Sequence, residues 1–126
     1  MFANNRTLVL DRENSAVKPL IHPRAEDINI YAVLHALAEP ARMQIVRTLA
    51  EADGKPCGTF GINLSKSTLS AHFKVLREAG IIRQETAPGN SRVNTLRRDE
   101  LDARFPGLLD SVLNAVERTE SSLPSV

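Results

Sequence analysis

Apolar residues recur every three to four positions along most of the chain, which is the spacing of helices with one buried face. In the first such stretch, residues 28–38, Ile30, Val33 and Leu34 share one face while Ile28 and Tyr31 lie on another. Asp27 precedes it and is a suitable N-cap. Because a helix that is apolar on nearly all sides is buried on more than one side, this pattern favours contact with a partner subunit.

A second helix is predicted over residues 40–52, with Pro40 at the first helical position, where its missing N–H removes no hydrogen bond. We expect Met43, Val46 and Ala50 to point inward and Arg42 and Arg47 outward. The following residues, 55–64, contain Pro56, Gly58 and Gly61, so they predict at most a short helix.

The helix signals are strongest over residues 65–79. Ser65 is a favoured N-cap type, and Gly80 stands where a left-handed residue ends a helix. Leu69, Phe73 and Leu76 form one face. The opposite face is small and polar, then charged, and consists of Ser67, Ser70, Ala71, Lys74 and Glu78.

After Gly80 the apolar period changes to two, which indicates strands. Residues 81–86 and 92–97 flank a Pro-Gly-Asn turn and predict a hairpin. Asp99 is expected to cap a short helical turn before a last helix over residues 106–120. The apolar stripe of that helix is Phe105, Leu108, Leu109, Val112, Leu113 and Val116.

This order of elements predicts a mainly α fold with a small β-hairpin wing (α+β), the winged helix-turn-helix. We expect an irregular arm over residues 1–26, one domain over residues 27–120 and a frayed tail over residues 121–126. The length of 126 residues and 42% hydrophobic content fit one such domain. The single cysteine, Cys57, excludes an intramolecular disulfide, and neither a secretory signal nor a membrane span is apparent, so we expect a cytoplasmic protein.

Charge is distributed unevenly along the chain. Residues 65–98 carry seven Lys or Arg against two Asp or Glu, whereas residues 99–126 carry two against six. A locally basic segment favours a polyanionic partner, although charge runs are also common on plain solvated surfaces.

The helix of residues 65–79 has the properties of one that enters the major groove of duplex DNA, where residues of its first turns reach base edges. His72 lies nearer the apolar face, so we interpret it as a structural, partly buried histidine rather than a base contact. The predicted DNA contacts are Lys66, Ser67, Thr68, Ser70, Ala71, Lys74 and Arg77 on this helix and Asn90, Ser91 and Arg92 at the wing tip.

Two segments resemble a known family. L-A-E-P-A-R at residues 37–42, followed by I-V-R-T-L at residues 45–49, is similar to the L-x-D-P-x-R-x-x-I-L-x-x-L segment of ArsR/SmtB-type bacterial repressors. L-S-K-S-T-L-S-A-H-F-K-V-L-R-E-A-G-I-I at residues 64–82 resembles their recognition-helix signature. The resemblance implies a homodimeric repressor that binds an inverted-repeat operator and is released by an inducer or a metal. The predicted dimer interface is Ile30, Leu34, Phe105, Leu109, Val112, Leu113 and Val116.

The chain departs from the metal-sensing members of that family. Cys57 has no second cysteine beside it, and residues 106–120 contain no histidine, so we expect no metal and no cofactor, and the inducer would be an unknown small molecule. A ligand cluster of His22 and His35 with Glu117 or Glu120 is a weaker hypothesis, as is a redox role for Cys57. No nucleophile has a base and an orienting partner, so we expect no enzyme. The alternative is a winged-helix protein-interaction module that does not read DNA.

Overall fold

The computed structural model describes residues 20–52, 55–56 and 60–121. The predicted roles of Cys57, of most of the N-terminal arm and of the tail after residue 121 lie outside these residues. The described elements, in chain order, are α1 (Ile30–Leu37), α2 (Pro40–Glu51), β1 (Lys55–Pro56), α3 (Lys66–Glu78), β2 (Ile82–Thr86), β3 (Arg92–Leu96), α4 (Arg98–Arg104) and α5 (Leu108–Ser121). The winged helix-turn-helix prediction is confirmed.

The first helix begins two residues later than predicted. Asp27 ends a short 3-10 turn, Ala25–Asp27, and its carboxylate pairs with the Arg24 guanidinium at 2.9 Å. The N-cap is Asn29, whose side-chain oxygen accepts from the backbone N–H of Tyr31 at 2.7 Å. The prediction of Asp27 as the cap is therefore wrong, because Ile28, between Asp27 and Asn29, is extended rather than helical.

The second helix begins at Pro40 as predicted, with Glu39 as its N-cap. Arg42 does not point outward, however. It is 9% exposed, and its guanidinium faces the C-terminal end of α1. The helical period predicted that Arg42 points outward, because a pattern of apolar and polar residues carries no information about buried backbone carbonyls that need a hydrogen-bond donor.

Helix α3 matches its prediction closely. The Ser65 side chain accepts from the Thr68 N–H at 3.2 Å, which satisfies a free donor of the first turn. At the other end Gly80 has φ +85°, and the Ile81 N–H bonds back to the Leu76 carbonyl at 3.0 Å. This is the Schellman arrangement that glycine favours, and it turns the chain directly from α3 into β2.

The wing hairpin is part of a three-stranded antiparallel sheet in the order β1-β3-β2. The predicted strands pair in register, with Ile82 opposite Leu96 and Thr86 opposite Arg92. Within the predicted helical segment 55–64, residues 55–56 form a strand beside β3, and the described residues 60–64 are not helical. Pairing of Lys55 with Asn94 across 39 residues of sequence is a contact that local patterns do not encode.

The core lies where the helices meet the root of the wing. Its fully buried side chains include Val33, Ile45, Val46, Leu49, Leu76, Ile81 and Ile82. Phe60 packs edge-on against Phe73 at 5.4 Å between ring centroids, which fastens the segment before α3 to that helix. In α4, Asp99 lies inside the first turn and Arg97 occupies the capping position without a side-chain cap, so the prediction of Asp99 as the cap is wrong.

Candidate nucleic-acid interface

One face of α3 is open to solvent and the other is built into the core. Phe73 and Leu76 are buried, with 2% and 0% exposure. The predicted groove-facing side chains are all exposed: Lys66, Ser67, Thr68, Ser70, Ala71 and Lys74. The small side chains lie toward the N-terminal half of α3, so its backbone can approach a partner closely there.

The N-terminus of α3 has a small network of hydroxyl groups. The Ser65 hydroxyl donates to Thr68 Oγ1 at 2.9 Å and lies 3.4 Å from Ser67 Oγ. The Thr68 hydroxyl is therefore bonded to the N-cap residue Ser65. Among the residues that the structure describes, the Ser70 side chain makes no hydrogen bond.

Arg77 is directed toward the wing rather than away from the domain. Its Nη1 donates to the side-chain oxygen of buried Gln84 on β2 at 2.7 Å. Burial is the main cause that lowers the pKa of this guanidinium from its usual value. The prediction that Arg77 meets phosphate stays a prediction, but the contact shown here ties α3 to the wing.

The basic excess of residues 65–98 is partly neutralised by the acidic C-terminal segment. Arg97 is buried and bonds to Glu100 at 2.6 Å, and that bond is the main cause that holds the Glu100 pKa below its usual value. Arg83 also reaches Glu100, at 3.3 Å, and Arg98 pairs with Asp110 at 2.9 Å. The count of charged residues in the sequence therefore overstated the positive charge that residues 65–98 present to solvent.

The remaining basic residues of that segment face solvent. In the described part of the chain, no carboxylate lies within ion-pair distance of Lys66, Lys74 or Arg92. Two of them are on α3 and the third begins β3 at the wing tip. Within residues 65–98, the positive charge that has no ion-pair partner thus lies on the helix and wing that the sequence singled out.

The wing tip is a tight exposed turn. Gly89 has φ +80°, and the Ala87 N–H bonds to the Ser91 carbonyl at 2.7 Å. The predicted contacts Ser91 and Arg92 are exposed, and the Ser91 hydroxyl donates to the Pro88 carbonyl at 3.3 Å. The Asn90 side chain lies outside the described set.

His72 is partly buried, as predicted, with its side chain 16% exposed. Its ring lies between α3 and the start of α2, where Nδ1 is 3.3 Å from Arg42 Nη1. Its Nε2 is 3.9 Å from Glu39 Oε1. The pKa of Glu39 is lowered, first of all because that carboxylate accepts the Arg42 backbone N–H.

The N-terminal arm contacts the root of the wing through His22. Its Nε2 accepts from the Gln84 backbone N–H at 2.9 Å, and Arg97 donates to the neighbouring Pro23 carbonyl at 2.9 Å. Burial and then the nearby Arg83 lower the pKa of His22. Sequence reasoning considered His22 only as a metal ligand, because an isolated histidine in an irregular arm does not reveal its partner.

The predicted dimer surface divides into two parts. Leu109 is 2% exposed in the core beside Val33 and Leu101, so it is not available to a partner and is removed from the predicted interface. Leu34 is 45% exposed, next to Tyr31 at 79%. The half-buried members are Ile30, Phe105, Val112, Leu113 and Val116.

Neither a metal cluster nor a membrane span is present in the described residues. No three His, Cys, Asp or Glu side chains there are grouped closely enough to hold a metal ion. No helix in the same ranges has the length and apolar character needed to cross a membrane.

Comparisons with known proteins agree with this geometry. A helix-turn-helix domain model matches residues 37–85, which include α2 and α3. The chain is 36% identical over 84 residues to YceK of Bacillus subtilis, described as an uncharacterized HTH-type transcriptional regulator, across 64% of this chain and 82% of that one. The fold is similar to the crystal structure of an ArsR family transcriptional regulator, with a TM-score of 0.54 at 16% identity over 82% of this chain and 100% of the other. The chain belongs to a family of helix-turn-helix transcriptional regulators, which bind DNA and are not enzymes, and it shares its fold with an ArsR family member.

Proposed function

We propose that this protein is a dimeric repressor that binds an inverted-repeat operator through α3 and leaves it when an inducer binds. The observation that carries the proposal is the division of α3 into a buried apolar face and an exposed face of small and charged side chains. The two properties together suit a helix that is held rigidly by its domain and inserted into the major groove.

The exposed face supports sequence reading by its chemistry. Ser67 and Ser70 offer both donors and acceptors to base edges, and Ala71 offers a methyl group that can contact thymine. Their small size allows the α3 backbone to lie deep in the groove. We therefore assign discrimination among sequences to these three residues.

Phosphate contacts are assigned to the cations that have no carboxylate nearby. Lys66 and Lys74 flank the reading face along α3, and Arg92 stands at the tip of the wing. Contacts of this kind supply much of the affinity and its dependence on salt. An arginine on a wing is also suited to the negative potential of a narrow minor groove.

Dimerisation is supported by exposed apolar residues on α1 and by an apolar groove that lies between the end of α1 and α5. Tyr31 and Leu34 are exposed on α1, and an apolar groove of about 360 Å³ runs between the end of α1, the start of α2 and the α5 residues Val112 and Val116. A second copy packed here by two-fold symmetry would bury this surface. It would also present two α3 helices to successive turns of one face of the duplex.

Selection from a random duplex library tests the proposal directly. We expect enrichment of a sequence with two inverted half-sites centred about 10 base pairs apart. In a run-off transcription assay, the protein should block a promoter that carries this sequence but not a scrambled one. Failure to enrich any duplex would overturn the proposal and favour the interaction-module alternative.

The release step needs its own assay. The operator complex is challenged with a panel of metabolites, metal ions and oxidants while its dissociation is followed by fluorescence anisotropy. We expect at least one compound class to release the DNA without unfolding the protein. A complex that every class leaves intact would contradict the inducible part of the proposal.

A further inference from the structure

Arg42 joins three helices through one buried guanidinium. From the first turn of α2, its Nε donates to the Ala36 carbonyl at 2.7 Å and its Nη2 donates to the His35 carbonyl at 3.2 Å, both near the end of α1. Its Nη1 lies 3.3 Å from Nδ1 of His72 on α3. The guanidinium therefore makes two hydrogen bonds to the end of α1 and one contact with α3.

The two carbonyl contacts explain why a cation is present at this buried position. Both carbonyls lie in the last turn of α1, where backbone donors run out and the carbonyls carry partial negative charge, and among the described residues the His35 carbonyl accepts only one other bond, from the Ala38 N–H at 3.3 Å. A lysine could satisfy such carbonyls, but it could not also present a fixed, planar donor to a third helix. Besides capping α1, the guanidinium can therefore also contact His72 on α3, which a lysine at this position could not do in the same geometry.

The imidazole of His72 has its orientation fixed by this contact. Because a guanidinium only donates, Nδ1 must accept, and the ring proton of the neutral form lies on Nε2. That nitrogen faces Glu39 Oε1 at 3.9 Å, and Glu39 in turn accepts the Arg42 backbone N–H at 3.0 Å. The ring is thus oriented by its contact with Arg42, with Glu39 near its other nitrogen.

We propose that Arg42 and His72 form a positioning pair that sets the angle at which α3 presents its reading face to DNA. His72 directly follows Ala71 of that face but points inward, so a shift of its ring moves the backbone beside the reading residues. The inference rests on the proposed reading role of α3. It adds that sequence specificity depends on two residues that do not touch DNA.

The pair should affect specificity more than overall affinity. Hydrogen bonds to base edges require a precise helix position, whereas flexible lysine side chains can still reach phosphates after a small tilt. Loss of the pair should therefore lower the preference for the operator over a scrambled duplex about ten-fold, the scale of one mismatched base pair. Binding to the scrambled duplex should change little.

The experiment measures both dissociation constants for the full chain and three variants, using the operator selected with the wild-type protein. His72→Leu removes the acceptor at similar volume, His72→Asn retains an oxygen near the Nδ1 position, and Arg42→Met removes the donor. We expect a ten-fold loss of preference for His72→Leu and Arg42→Met and a near wild-type preference for His72→Asn. The double variant Arg42→Met with His72→Leu should be no worse than Arg42→Met alone, because that variant has already lost the contact between the two side chains.

Thermal melts followed by circular dichroism identify the variants that are folded. If Arg42→Met does not fold, the two His72 variants decide the question alone. A folded His72→Leu variant with wild-type preference would overturn the inference, as would an equal loss in His72→Asn. A wild-type chain that prefers no duplex would overturn the proposed function as well, so the two failures are distinguishable.

Discussion

At the scale of single residues, the basic side chains of the interface differ in what surrounds them. Lys74 is exposed on α3 and has no carboxylate at ion-pair distance among the described residues, whereas Arg98 is matched by Asp110 at 2.9 Å. A cation that is already paired must exchange one partner for another when it meets phosphate. An unpaired one releases counterions from the DNA without that exchange.

Lys74→Ala should therefore weaken binding to all duplexes to a similar extent. We expect the slope of log Kd against log salt concentration to fall by about one, as for the loss of one phosphate contact. Fluorescence anisotropy titrations between 50 and roughly 300 mM salt measure it, a range over which such contacts are screened. Arg98→Ala is the matched control and should leave the slope unchanged. An unchanged slope for Lys74→Ala would remove it from the proposed interface.

His22 links the arm to the wing only while Nε2 is free to accept the Gln84 N–H. Its pKa in the folded state is lowered by burial and by Arg83, Arg77 and Arg97, so the unfolded chain takes up a proton at higher pH than the folded chain does. The stability that His22 contributes is therefore present above its unfolded pKa of about 6.5 and is lost as pH falls toward the folded value.

The matched variant is His22→Gln, whose amide oxygen retains an acceptor without titrating. Urea denaturation at pH 8, 7, 6 and 5 should show a steeper loss of unfolding free energy in the wild-type protein than in His22→Gln. His35 and His72 are present in both proteins, so their effects cancel in the comparison. Parallel pH profiles would show that His22 is not buried against Gln84 in solution.

At the scale of elements, the connection from α3 to the wing is shaped by Gly80. A Cβ at this position would lie 2.6 Å from Ile28 Cγ1 and 3.3 Å from Pro23 Cγ, and φ is +85°. The same turn is thus constrained by its own backbone and by the segment that precedes α1. Gly89 at the wing tip has a similar φ, +80°, but open space around the place of a Cβ.

Gly80→Ala should destabilise the fold by about 3 kcal/mol, because left-handed strain is added to a clash with buried Ile28. Gly89→Ala should cost about 1 kcal/mol, since only the strain applies. Urea denaturation of both variants measures the difference. Equal losses would show that the chain before α1 does not pack against the α3 to β2 turn.

At the scale of the whole molecule, the fold brings together opposite charges that are far apart in sequence, and it leaves an apolar surface exposed to solvent. Arg83, Arg97 and Arg98 of the basic segment bond to Glu100 and Asp110 of the acidic one. The exposed apolar residues of α1, by contrast, have no cover within the described chain. An exposed apolar surface of this kind fits the proposed contact between two copies.

Leu34→Glu should produce monomers, because it places a charge in the proposed interface. Sedimentation velocity at micromolar concentration measures the oligomeric state, and operator affinity should fall at least ten-fold when two half-sites no longer bind together. Leu64→Glu is the matched control for sedimentation alone, since Leu64 is similarly exposed, 42% against 45%, but lies outside the proposed dimer surface. A Leu34→Glu variant that sediments as a dimer would contradict the proposed interface.

The sequence by itself determined the elements whose signals are local. The capped helix α3, the hairpin β2–β3 and the start of α2 at Pro40 follow from N-cap residues, a left-handed glycine, a period of two and a proline without N–H. Each signal acts within a few residues of chain. The family motifs and the exposed face of α3 are also patterns of neighbouring residues, so they too could be predicted from the sequence.

Only the tertiary structure decided which distant groups satisfy one another. The inward turn of Arg42, the bond from Gln84 to His22, the third strand opposite β3 and the neutralised arginines of the wing root all depend on residues far apart in sequence. Burial removes carbonyls and charges from water, so they need hydrogen-bond or ionic partners within the protein. Only the folded chain determines which side chain is near enough to be that partner.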